Sequence, residues 1–410
     1  MPLTQSIPKR RADTLFNDTW LPDEVRRVRS DARKFADDVL RPAAHELNTR
    51  PESKEAFPWA QFRAMVDAGL YRVPFASDVG GLGLEFPTLA TLTVVEELGY
   101  YVPAFSSALY DGQAILVGKT LDRAQPSIRE RFLPSLIRGE WVGSFATSEP
   151  EASTDLSVRS MQTVATAVEG GYRITGCKRW ITNAAVADRV AVLCKTGQSL
   201  TMLLADLRAP GVRVAAPDLK MGNHVQLTSD IQFDDVFVPS DCVIGTEGSG
   251  LSAALGALAL GRMGIGANGV AMAQSAFDHS TQYACERRVF GRELARMQHW
   301  QYVFAEHAVG IEQARSLYQK AGWLYDAKGS AEVEAAMAKL VGSRLAVDVA
   351  RDAIQVCGAY GFVRELSGPG TSMPLESIYR DAKIGEIYEG ANEIQKWVIA
   401  RNIFGRDFTG

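Results

Sequence analysis

The sequence predicts an α+β chain in three parts, helical, then β-rich, then helical again. Three observations carry that reading. From about Leu21 to Arg138, apolar residues recur at helical spacing, as in Val25-Arg26-Arg27-Val28 and Leu89-Ala90-Thr91-Leu92-Thr93-Val94-Val95. From about Trp141 to Gly250, short β-rich stretches such as Tyr172-Arg173-Ile174-Thr175 and Val190-Ala191-Val192-Leu193-Cys194 alternate with Gly and Asp turns. From Leu251 onward the long helical patterns return. The domains are set at residues 21–140, 141–250 and 251–410, after a flexible tail at 1–20. At 410 residues the chain is long enough for two or three substantial cores.

Taken in order, the tail has Lys9, Arg10 and Arg11 but no apolar run behind them, so it is not a secretory signal. Asp78-Val79-Gly80-Gly81-Leu82-Gly83 is a loop between helical segments. Glu169-Gly170-Gly171 reads as a hairpin turn, and Asp234-Asp235 as neighbours on opposite faces of a strand. Leu251 to Ala273 is nearly long enough to span a bilayer, but a central arginine, Arg262, is expensive in lipid. It is better read as a small-residue helix inside a bundle, with Arg262 a buried cation that needs a partner. Near the end, Ile378 to Ile387 has helical spacing until Gly390 breaks it. Asn392, with Gln395 three residues on, reads as the N-cap of a further helix. Glu389 is then expected at a corner between two helices, near the positive end of the second, where a carboxylate can be aimed into a cavity as a general base.

Composition closes several routes. A net charge of -4 gives no electrostatic case for nucleic acid or an anionic membrane. Five scattered cysteines without a CxxC pair fit a reducing compartment, and the five histidines show no metal-ligand spacing, so no metal site is expected. Gly118-Lys119-Thr120 misses the Walker spacing by one residue, and neither a GxGxxG turn on a βαβ unit nor a nucleophile elbow is present.

Six segments, in one order, resemble the acyl-CoA dehydrogenase family from about residue 25 to the C-terminus. They are Phe145-Ala146-Thr147-Ser148-Glu149-Pro150 with Asp155, Gly176 to Ala184, Phe233 to Pro239, Arg287-Arg288-Val289-Phe290-Gly291 with Gln298, Gln355 to Gly361, and Ile387 to Gln395. The resemblance implies a helical N-terminal domain, a middle β-barrel or sandwich domain and a C-terminal four-helix bundle, assembled as a homotetramer or homodimer with one FAD per subunit. Glu389 matches the catalytic base. Phe145, Thr147, Ser148, Trp180, Thr182 and Asn392 match positions beside the flavin. Arg287, Phe290, Gln298, Gln355 and Gly358 match those at the adenylate and diphosphate end of an FAD held with a neighbouring subunit. Arginine suits phosphate because its planar fork bonds bidentately, and glycine lets the backbone approach. Thr154, Arg262, Tyr388 and Gly390 match the substrate side.

The implied reaction is α,β-dehydrogenation of an acyl thioester, expected to be acyl-CoA, to the trans-2-enoyl product, as in fatty acid metabolism. The thioester carbonyl is polarised by a ribityl hydroxyl and the Glu389 backbone N–H. Electron-transfer flavoprotein is the expected acceptor, and the cytoplasm or mitochondrial matrix the expected location. A same-fold oxidase, a dehydrogenase acting on acyl carrier protein and a non-enzymatic binding or assembly relative are the alternatives. The chain departs from the family at Glu151-Ala152-Ser153-Thr154-Asp155, where Glu151 replaces a glycine, and at Ala391, where a hydroxyl is missing. Some relatives carry their base beside Arg262, but Gly261 occupies that place here. Burial should raise the Glu389 pKa and Arg262 should lower it, a balance that sequence leaves open.

Overall fold

The computed structural model describes residues 8–16, 18–152, 154–368 and 372–409. Part of the expected tail (1–7) and Ser153 of the Glu151–Asp155 departure lie outside the described residues. Helix α1, Asp23–Phe35, opens with Asp23 and Glu24 and closes with Arg33 and Lys34, which complements its dipole. It buries Val25, Val28, Ala32 and Phe35, one face at helical spacing, against helix α2, Pro87–Gly99. Helix α2 is buried from Thr88 to Gly99 because α1 and two helices of the C-terminal bundle surround it. Its first backbone N–H groups, on Thr88 and Leu89, donate to the Asp326 carboxylate at 2.9 and 3.0 Å. A π-wound helix, Ser106–Gly118, then leads toward the sheet.

The tail expected to be free is docked at Arg10 and Arg11. Arg10 Nη1 donates to Glu97 at 2.6 Å and its guanidinium lies 4.0 Å from the Tyr100 ring centroid, while Arg11 N donates to Asp278 at 3.1 Å. Buried Glu97 and Asp278 recruit donors from this segment, as carboxylates cut off from water must.

The middle region carries eight strands: β1 Gly143–Ala146, β2 Val164–Val168, β3 Gly171–Thr182, β4 Arg189–Thr196, β5 Ser199–Asp206, β6 Val212–Val214, β7 Thr228–Pro239 and β8 Val243–Ile244. They pair in the order β6-β7-β3-β2-β4-β5-β8, with β1 running parallel beside β4. The expected hairpin turn falls between β2 and β3, where Gly170 has φ of 78°. Asp234 and Asp235 are not on opposite faces. Both are exposed and paired with Arg213 and Arg173, because Asp235 at φ 55° interrupts the alternation.

The C-terminal helices are α3 Gly250–Glu286, α4 Gln298–Lys328, α5 Glu332–Cys357, α6 Leu375–Ile384 and α7 Asn392–Phe404. By length and composition α3 could cross a membrane, yet 61% of its apolar window is buried inside the protein. It packs tightly on α5, where an added Cβ at Gly269 would lie 2.4 Å from the Gly342 carbonyl oxygen. One core joins the N-terminal helices to this bundle, and a second lies in the sheet region and under Phe75, Val117 and Leu121.

Candidate active site

Helix α6 ends at Ile384, three residues short of the predicted Ile387, and a tight turn carries the chain to Glu389. Glu389 adopts φ of 53° and Gly390 φ of 89°, a left-handed corner that a non-glycine residue adopts at a cost. Asn392 does not cap α7. The cap position belongs to Ala391, and Asn392 begins the helix with its side chain turned inward. Its Oδ1 accepts from Lys339 Nζ at 2.9 Å and its Nδ2 donates to Ser343 at 3.1 Å. A fully buried ammonium needs an acceptor, and that need outweighs local capping. Gln395 Nε2 donates to the Gly390 carbonyl at 2.7 Å and ties the corner down.

The corner aims Glu389 at α3. An added Cβ at Gly261 would lie 1.9 Å from Glu389 Oε2, so the missing side chain is the space the carboxylate occupies. The residue as a whole is half-buried, but Oε2 is sealed from solvent and has no donor among the described residues. Burial pushes its pKa up to about 7, against the opposing pull of Arg262 and then Lys339. Desolvation wins the balance that the sequence left open. Arg262 finds its partner in the Glu389 backbone, with Nε 3.5 Å from that carbonyl oxygen.

The π-wound helix brings a third element. Asp111 is fully buried, both its oxygens lack a donor among the described residues, and its pKa is raised well above the carboxylate range by burial and by Glu389. Tyr388 faces Ser107 and Asn268, and its hydroxyl is held neutral by burial. Ser107 Oγ lies 3.3 Å from Gln226 Oε1, and Gln226 Nε2 donates to Thr182 Oγ1 at 2.8 Å. This chain of polar contacts links the end of β3 to the Glu389 corner. Asp111, Ser107, Gln226 and Lys339 were not singled out in the sequence. A lone carboxylate in the otherwise uncharged run Ser106 to Gly118, and a lysine set among small residues on α5, were the signals available.

The remaining predicted positions fall into two groups. Near Thr182, the Thr147 carbonyl accepts from Lys178 Nζ at 3.3 Å and the Ser148 carbonyl from Arg179 N at 3.0 Å. Lys178 also makes a buried 2.8 Å ion pair with Glu149, which supports this edge from within. Phe145 is half-buried, while Trp180, at φ 58°, leaves 53% of its surface open. Thr154 and Glu151 are exposed in the loop after β1. The second group, Arg287, Phe290, Gln298, Gln355 and Gly358, is exposed at the other end of the bundle. Phe290 is 96% exposed on a tight turn, and Gly358, at φ 58°, terminates α5 with open space around it. At 1.5 Å per residue, Arg287 lies roughly 38 Å along α3 from Arg262. Arg287 is therefore far from the Glu389 corner that Arg262 contacts.

Residues 22–140, 144–236 and 248–404 match the acyl-CoA dehydrogenase N-terminal, middle and C-terminal domain families. A short-chain specific acyl-CoA dehydrogenase of Clostridium acetobutylicum is 32% identical over 94% of this chain and 99% of its own. A cyclohexane-1-carbonyl-CoA dehydrogenase of Geobacter metallireducens is 34% identical over 93% of this chain and 97% of its own. The butyryl-CoA dehydrogenase structure from Megasphaera elsdenii superposes with a TM-score of 0.86 at 30% identity, covering 95% of this chain and 99% of that one. The chain belongs to the acyl-CoA dehydrogenase family of FAD-dependent oxidoreductases.

Proposed function

We propose that this protein dehydrogenates an acyl-CoA thioester across its α and β carbons, with Glu389 as the base. The observation that carries this is the Glu389 carboxylate seated in the Gly261 notch, with a pKa of about 7. A carboxylate held there is ionised enough at neutral pH to act and basic enough to take a carbon-bound proton. Glu389 removes the proton next to the thioester carbonyl, and its own backbone N–H supports the oxygen on which charge develops. Arg262, on the Glu389 carbonyl, and Gln395, on that of Gly390, hold the corner still. Tyr388 and Gly390 flank the acyl group, and Thr154 lies toward its carrier.

FAD, when bound, would supply the acceptor for the hydride from the next carbon. The residues present fit such a group. Trp180 leaves more than half of its surface open, with the Arg179 guanidinium 5.2 Å from its ring centroid. Thr182, Thr147, Ser148 and Phe145 lie at the neighbouring strand ends, and Asn392 is buried behind the Glu389 corner. Arg287, Phe290, Gln298, Gln355 and Gly358 are exposed at the other end of the bundle, which leaves them free to hold the adenylate end of a neighbouring subunit's FAD in a homotetramer or homodimer. Electron-transfer flavoprotein is the acceptor we favour, in the cytoplasm or a mitochondrial matrix.

The test is anaerobic bleaching of the FAD-loaded protein by straight-chain, branched and cyclic acyl-CoA thioesters, followed by reoxidation. We expect rapid bleaching by at least one thioester and faster reoxidation by an artificial one-electron acceptor than by oxygen. Fast oxygen turnover would instead identify an oxidase. Failure to bind FAD, or to bleach with any thioester, would overturn the proposal.

A further inference from the structure

Asp111 and Glu389 reach α3 from distant parts of the chain and fill neighbouring notches in it. An added Cβ at Gly264 would lie 2.2 Å from Asp111 Oδ1, just as one at Gly261 would lie 1.9 Å from Glu389 Oε2. Helix positions three apart bring their Cβ atoms within about 5–6 Å. The two carboxyl groups are therefore adjacent, within hydrogen-bonding reach of each other.

Both are acceptors when ionised, and neither Asp111 oxygen nor Glu389 Oε2 has another donor among the described residues. The groups around them do not supply one. Lys339 donates to Asn392, Arg262 to the Glu389 carbonyl, and Tyr388 faces Ser107 and Asn268. Tyr110 lies on the same helix as Asp111 and is kept neutral by burial. Two ionised carboxylates here would repel each other and leave buried acceptors unpaired. One retained proton removes both penalties. Arg262 and Lys339 both favour charge on Glu389, whereas no cation acts on Asp111. We propose that Asp111 keeps its proton and donates a hydrogen bond through it to the ionised Glu389 carboxylate, which makes Asp111 the positioning residue of a carboxyl–carboxylate pair.

This rests on Glu389 being the base, and its test is arranged so that the two ideas fail separately. The first readout is the acid limb of kcat/KM against pH for flavin reduction by the best thioester. Asp111→Leu removes the donor, so the limb should move at least one pH unit upward, while Asp111→Asn, which can still donate, should leave it near the wild-type position. If Asp111 is instead ionised, both variants remove a neighbouring negative charge and move the limb downward, which overturns the proposal. An unmoved limb in Asp111→Leu overturns it equally. The second readout needs no turnover. The infrared spectrum of the holoenzyme taken about two pH units above that limb, where Glu389 is ionised, should contain a protonated-carboxyl C=O band that disappears in Asp111→Asn, and this holds even where Asp111→Leu does not fold. Absence of that band from the wild type, or its loss only in Glu389→Gln, overturns the pair. A wild-type protein that shows the band but reduces no flavin would leave the pair standing and refute Glu389 as the base.

Discussion

Glu96 and Glu97 at the end of α2, and Asp111 and Glu389 against α3, are two buried pairs of carboxyl groups with opposite surroundings. Glu97 accepts from Arg10 at 2.6 Å, Arg29 at 2.8 Å and Arg33 at 3.0 Å, and Glu96 accepts from Arg315 at 3.0 Å and from Tyr318. Those cations hold both carboxylates below their ordinary range despite complete burial. Glu389 has Arg262 and Lys339 nearby, each bonded elsewhere, Asp111 has no cation acting on it, and both carboxyl groups are pushed up. Burial is common to the two pairs. What separates them is whether donors reach the oxygens. A satisfied pair ties the N-terminal helices to the bundle, and an unsatisfied one is left with a reactive, proton-hungry oxygen.

The comparison breaks most visibly at Glu389. Glu389→Gln should retain FAD and lose roughly 10²–10⁴-fold in flavin reduction rate, the contribution of a positioned base. Near-normal reduction in stopped flow would place the base elsewhere. At the other pair, Glu97→Gln leaves three arginines facing a neutral group and should cost about 3–5 kcal/mol in chemical denaturation, with the active-site chemistry intact in the folded fraction. A cost below about 1 kcal/mol would mean that the cluster is solvated in solution.

The pairs should also differ in the sign of their pH dependence. Glu97 has a depressed folded pKa, so its stabilisation is present above the ordinary value of 4.5 and is lost as the pH falls toward the folded value. Glu389 has a raised one, so its ionisation costs stability as pH rises from 4.5 to about 7. Glu389→Gln should therefore be more stable than wild type at pH 8, by on the order of 1–3 kcal/mol, and nearly equal to it at pH 4.5. Equal melting temperatures at both pH values would show that Glu389 is solvated. The smallest effect belongs to Arg287→Glu, exposed and far from both pairs. It should weaken FAD retention and lower the dissociation temperature of the oligomer, partly restored by excess FAD. An intact oligomer with unchanged FAD affinity would make Arg287 a plain surface residue.

Helical spacing revealed the N-terminal helices and the long α3, and the Gly390 break placed Glu389 at its corner, because these are local properties of the chain. Asn392 misled for the same reason. Capping is a local rule, whereas the acceptor that Lys339 needs lies on another helix. Asp111 was invisible as a partner of Glu389, since nothing in its own segment says which notch of α3 it fills. Gly261 was readable as the absence of a base, but its role as the space for Glu389 exists only once α3 and the α6–α7 corner are packed.

The pH dependence of anaerobic flavin reduction by the best thioester, compared between wild type and Glu389→Gln, tests the central claim most directly. Because the base must be ionised to act, the wild-type kcat/KM should rise through an acid limb near pH 7, and that limb should vanish in the variant. A wild-type limb in the ordinary carboxylate range near 4.5, or the same limb persisting in Glu389→Gln, would contradict a buried Glu389 as the base.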